Sequence, residues 1–117
     1  MGKPGSWANT KFAVGSGSSL YTIESSGALY NTTASTGTWT QIGKPDYGNT
    51  AFLFASSSKL YTIEKSGTLY EIIPSTGSWK GIGTAGAWVN TMVGTVMGDA
   101  LYTIEKSGAL YKTTLSS

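Results

Sequence analysis

The chain has 117 residues, enough for one domain with a modest core, and a hydrophobic content of 39% that suits a sheet protein better than a helical globule. Its net charge of +2 comes from scattered lysines with no arginine, so the bidentate guanidinium contacts that dominate phosphate and guanine recognition are missing and nucleic acid is not an expected partner. Cysteine and histidine are both absent, which excludes disulfides, thiolate and imidazole catalysis and the usual zinc or copper ligand sets, so neither a metal nor a cofactor is expected.

Residues 1–6 carry no apolar run of the kind that precedes an export cleavage site, and no stretch approaches the roughly 18 apolar residues of a membrane-spanning helix. The expectation is a soluble chain with no visible export signal and no membrane span, its compartment left open.

The second strand-like run carries a sequence that returns twice. Leu20-Tyr21-Thr22-Ile23-Glu24 reappears from Leu60 to Glu64 and from Leu101 to Glu105, a period of 40 and then 41 residues. Each copy leads into a Ser-Gly turn and a second short run ending in Leu-Tyr, at Leu29-Tyr30, Leu69-Tyr70 and Leu110-Tyr111. Two copies go on to Ser-Thr-Gly-(Thr/Ser)-Trp, at Trp39 and Trp79, and close on Ile-Gly. Ahead of each copy stands an aromatic with Asn-Thr two residues later, at Trp7/Asn9, Tyr47/Asn49 and Trp88/Asn90. The repeats are residues 1–43, 44–83 and 84–117 of a single domain. Their near identity fits recent duplication or deliberate design.

Turn chemistry divides each repeat into four strand-like runs, in the middle copy Thr50 to Ala55, Leu60 to Glu64, Thr68 to Ile73 and Ser78 to Ile82. The run Ala51-Phe52-Leu53-Phe54-Ala55 is apolar on consecutive residues, which predicts a strand buried on both faces. Four-stranded sheets at this period, packed on both sides, predict consecutive blades of a β-propeller, with the first run lining the channel and the Trp run outermost. The third copy stops where its Trp run would begin, so eleven strands are expected and the third sheet lacks its outer one. The recurring Tyr, Leu and Ile are read as inter-blade core.

Three blades do not close a ring. The geometry predicts an apolar face at each end of the arc, with Phe12 and Tyr21 on one and Val93 and Tyr102 on the other, and a homodimer completing six blades.

The order of these motifs, best seen from Tyr47 to Gly83, resembles the blades of tachylectin and tectonin-type β-propeller lectins. That resemblance implies binding of glycans, N-acetylated amino sugars among them, in clefts between blades. The matching positions are the loop residues Trp7, Asn9, Tyr47, Asn49, Trp88 and Asn90 with Trp39 and Trp79. The chain departs from the family in having Gly37-Thr38 and Gly77-Ser78 where such lectins carry an acidic-amide pair before the Trp.

Apart from any family, an aromatic face with nearby polar groups is what a pyranose ring needs, although a loop Trp can equally plug the gap between blades while the Asn caps a turn. Glu24, Glu64 and Glu105 recur beside the Ser-Gly turns and could accept from sugar hydroxyls, or simply end a solvated strand. Catalysis is not expected, because glycosidases need two carboxyl groups at a set separation and the repeat supplies one per blade. Two classes are left: a multivalent lectin, and a structural or protein-interaction propeller scaffold that assembles without binding sugar.

Overall fold

The computed structural model describes residues 8–44, 47–56 and 59–115. Eleven strands fall into three antiparallel meanders: β1 (Thr10–Ser16), β2 (Ser19–Glu24), β3 (Leu29–Thr33) and β4 (Trp39–Ile42); β5 (Thr50–Ala55), β6 (Leu60–Glu64), β7 (Leu69–Ile72) and β8 (Trp79–Ile82); β9 (Thr91–Met97), β10 (Ala100–Glu105) and β11 (Leu110–Thr114). The first two sheets have four strands and the third has three. The described residues include no helix, and none long and apolar enough to cross a membrane. As expected of propeller blades, the Trp strands β4 and β8 are outermost, while the first strands β1, β5 and β9 stand side by side. Phe12, Val14, Phe54, Val93 and Val96 help line the groove of about 520 Å³ between those three strands.

Each first strand carries a one-residue bulge, and this is what lets consecutive apolar residues be useful. Thr50 pairs with Glu64, but the next pair is Phe52 with Ile63, so Ala51 is skipped and the alternation restarts; the same shift occurs after Thr10 and Thr91. Thr50, Leu53 and Ala55 then share one face of the middle sheet with Leu60, Thr62 and Glu64, while Phe52 and Phe54 share the other with Tyr61 and Ile63.

Both faces are covered, by different neighbours. One core joins the first and second sheets through Phe12, Val14, Tyr21, Ile23, Leu29 and Ile42 against Leu53, Leu60 and Ile72. The other joins the second and third through Phe52, Phe54, Tyr61, Ile63 and Leu69 against Val96, Leu101 and Leu115. The leading blade uses the same repeat positions at both junctions, and the following blade shares Ala55/Val96 and Leu60/Leu101, with Leu115 contributing only at the second. At the second, Gly94 leaves room for the Phe54 ring: a Cβ there would meet Cζ of that ring at 3.1 Å and the Tyr102 carbonyl at 3.0 Å.

One expectation is corrected. Phe12 and Tyr21 do not lie on an open end of the arc; their side of the first sheet is packed on the second. The other side, with Ala13, Leu20 and Thr22, is the one without a preceding sheet, because Ala13 pairs with Thr22 and is offset by one residue from Phe12 and Tyr21. At the other end, Val93 is exposed as expected and Tyr102 is half-buried.

Candidate functional site

The loops before β5 and β9 are tied to the Ser-Gly turn of the preceding sheet, and the loops before all three first strands to the turn of their own. The Tyr47 amide donates to Gly27 O and the Trp88 amide to Gly67 O, at 2.9 and 2.8 Å. The carbonyls of Asn9, Asn49 and Asn90 accept from the amides of Ser25, Lys65 and Lys106 at 2.8, 2.7 and 2.9 Å. The recurring aromatic thus ties its blade to the preceding one through a main-chain bond, and the Asn ties the same loop to the turn of its own blade. Tyr47 is buried in the first inter-blade core and Trp88 is half-buried against the second, while the three Asn residues are exposed.

The carboxylates are also engaged within their sheets. Glu24 accepts from the Thr10 hydroxyl, Glu64 from Thr50 at 2.8 Å and Glu105 from Thr91 at 3.0 Å. The bulge described above delivers each Thr to this position.

Around this frame the middle blade forms a pocket of about 270 Å³ lined by Tyr47, Asn49, Thr62, Glu64, Lys65, Ser66, Tyr70 and Trp79. Four of the residues singled out in the sequence, Tyr47, Asn49, Glu64 and Trp79, therefore meet at one place. The Trp79 ring, 55% exposed, stands edge-on to Tyr70 with centroids 5.2 Å apart and planes at 85°. Trp39 and Tyr30 repeat that geometry in the first blade. The Thr62 hydroxyl lies at the buried base of the pocket with no hydrogen-bond partner. The third blade has the equivalent cavity, about 290 Å³, with Trp88, Thr103, Glu105 and Tyr111 in its wall and no outer-strand tryptophan. Trp88 and Glu105 meet there; Asn90 does not line it. In the first blade Asn9, Glu24 and Trp39 occupy the corresponding positions, and Trp7 lies outside the described residues.

Sequence reasoning passed over Thr62 and Tyr70 as pocket walls, although both recur in every repeat. It also passed over Glu71, because that acid does not recur. Glu71 is buried and pairs with Lys59, and Lys80 approaches its other oxygen at 3.5 Å. Burial raises its carboxyl, but the hydrogen bond and charge of Lys59, with Lys80, more than offset this and hold it below the usual carboxylate range. No set of three or more acidic, histidine or cysteine side chains that could hold a metal is present among the described residues.

No protein-family model matches the chain, and no curated protein matches it in sequence. Solved structures do match. The computationally designed Ika4 protein superposes with a TM-score of 0.66 at 11% identity, over 92% of this chain and 66% of its own. YCF48 from Cyanidioschyzon merolae matches with a TM-score of 0.62 at 16% identity, over 91% of this chain and 36% of its own. These neighbours are β-propeller proteins. The chain is a β-propeller arc. A structure of S. cerevisiae Dbp5 bound to Nup159, Gle1, IP6 and ADP contains a further match, with a TM-score of 0.58 at 17% identity over 89% of this chain. The arc spans about a quarter (26%) of that matched chain. At these identities the likeness concerns the fold.

Proposed function

We propose that this propeller arc is a non-catalytic scaffold that works by blade-to-blade association, with a second copy of itself as the first partner. The observation that carries this reading is a single repeat position. Leu29 and Leu69 are fully buried where a further blade follows, whereas Leu110 in the last blade is 67% exposed. Val93 is exposed on the same face. The junction made twice within the chain defines what would cover this face: the leading side of another first blade. Thr95 occupies the Phe54 position and Ala13 the Gly94 position, so a smaller residue on one side meets a larger one on the other. Two arcs bring six blades, within the range of about four to eight in which propellers close. The multiprotein complex in which Nup159 is found also favours association over catalysis as the role of a fold of this kind.

Placing a charge in this face tests the reading. Val93→Lys should convert the associated chain to a monomer with an unchanged strand spectrum by circular dichroism. Association that survives the substitution would mean that this face is not used.

A second reading, glycan binding of the tachylectin or tectonin type, has one observation in its favour: a pocket of sugar size whose wall combines Trp79 and Tyr70 with the unpartnered Thr62 hydroxyl and the Glu64 carboxylate. Retention on immobilised N-acetylglucosamine, lost in Trp79→Ala, would support it. A wild-type chain that flows straight through would rule it out for that sugar.

A further inference from the structure

The pocket of the middle blade holds a combination of groups that a sugar does not require. It lies wholly within that blade and the loop leading into it. Its wall includes the rings of Tyr47, Tyr70 and Trp79, and the last two meet at 85° with centroids 5.2 Å apart. Edge-to-face packing of this kind makes a corner of two ring faces, each negative at its centre. A pyranose stacks on one flat face, whereas a compact cation is attracted to every face that surrounds it.

Two opposite charges stand in the same wall. Glu64 closes β6, Lys65 follows it, and both line the pocket. Neither is in an ion pair among the described residues, where the pairs are those of Glu71 with Lys59 and Lys80. The Thr50 hydroxyl takes Oε2 of Glu64 at 2.8 Å, so the carboxylate has a second oxygen to offer. The Ser66 hydroxyl, by contrast, is occupied with Thr68 at 3.3 Å. The first blade repeats the ring corner with Tyr30 and Trp39 and the carboxylate with Glu24, but has Ser25 in place of Lys65. The lysine is therefore an addition to the ring corner and not a condition for it.

We propose that this pocket binds a phosphocholine-type zwitterion, a methylated ammonium joined to a phosphate. The ammonium sits in the corner of Tyr70 and Trp79 with Glu64 as counter-ion, and the phosphate meets the Lys65 ammonium. Methyl groups spread the positive charge and pack on the rings without needing a hydrogen bond, which suits a wall richer in aromatic surface than in acceptors. A volume of about 270 Å³ admits a group of this size. The site is independent of association between copies, and its ligand is an alternative to a sugar in the same pocket.

The test is calorimetric titration of the full chain with phosphocholine, choline and 3,3-dimethylbutyl phosphate, in which carbon replaces the ammonium nitrogen. Phosphocholine is expected to bind about tenfold more tightly than the dimethylbutyl ester. Trp79→Ala, folded by circular dichroism, should lose this binding. Lys65→Ser should weaken phosphocholine about fivefold at low salt and leave choline unchanged. Sedimentation of the chain with phosphatidylcholine vesicles would assign the zwitterion to a lipid headgroup, and binding of free phosphocholine without sedimentation would assign it to a soluble ester. Equal affinity for phosphocholine and the dimethylbutyl ester, or no heat from phosphocholine at millimolar concentration, overturns the proposal. Heat from N-acetylglucosamine with none from phosphocholine overturns it in favour of the glycan reading.

Discussion

The Thr50 hydroxyl donates to Oε2 of Glu64 at 2.8 Å, tying the first strand of the middle blade to the second just where the bulge has turned Thr50 inward. Glu24 and Glu105 receive the same bond from Thr10 and Thr91. A buried hydroxyl bonded to a carboxylate contributes more than a neutral pair, so Thr50→Val should lower stability by about 1.5–3 kcal/mol in urea denaturation. Thr91→Val should act in the same direction in the last blade. An unchanged midpoint for Thr50→Val would show the bond to be incidental to the fold.

Glu71 makes stability depend on pH in a defined window. Its carboxyl is held below its ordinary value in the folded chain, so its contribution is present above the unfolded-state value, near 4.3, and is lost as pH falls through the folded one. Glu71→Gln leaves Lys59 without its buried partner and should cost about 1–3 kcal/mol near neutral pH. The difference between wild type and variant should disappear in acid. A gap that persists at pH 2 would contradict the ion pair as its cause.

Gly67 and Gly108 sit at the same turn of successive blades, with φ of 87° and 89°. A Cβ on Gly67 would meet the Val89 amide nitrogen at 2.4 Å, in the segment that joins the second blade to the third, while nothing lies within 4 Å of one on Gly108. Gly108→Ala should therefore cost only the left-handed backbone penalty, roughly 1–2 kcal/mol. Gly67→Ala should cost clearly more, as the two blades are forced apart. Equal losses by thermal denaturation would mean that the turn does not bear on the neighbouring blade.

The pocket and the core can be separated by substitution. Tyr47→Ala removes a ring from the first inter-blade core and should destabilise by about 3 kcal/mol or more. Trp79→Ala removes an exposed ring and should change stability by less than about 1 kcal/mol. Trp79, in place of Tyr47 or Trp88, is therefore the position at which loss of ligand retention can be read without unfolding. A large stability loss in Trp79→Ala would remove that distinction.

Strand order and blade count were legible in the sequence because they rest on repetition: Leu-Tyr-Thr-Ile-Glu and the Trp-x-x-Ile strand mark β2, β6, β10, β4 and β8 directly. The doubly apolar run Phe52-Leu53-Phe54 likewise announced burial on both faces. The side to which each residue points was harder to see. A bulge at Lys11, Ala51 or Met92 leaves no turn residue behind, yet it decides that Phe12 and Tyr21 face the second blade. The loop aromatics showed a similar limit, since stacking on a sugar and plugging an inter-blade gap call for the same side chain. Tyr47 lines the pocket and belongs to the core. The Lys59–Glu71–Lys80 group depends on a non-recurring acid, so a search for repetition passes it by.

The mass of the chain in solution tests blade-to-blade association most directly. Light scattering at micromolar concentration should give one species of twice 12.2 kDa, and a stable monomer of 12.2 kDa would contradict the account.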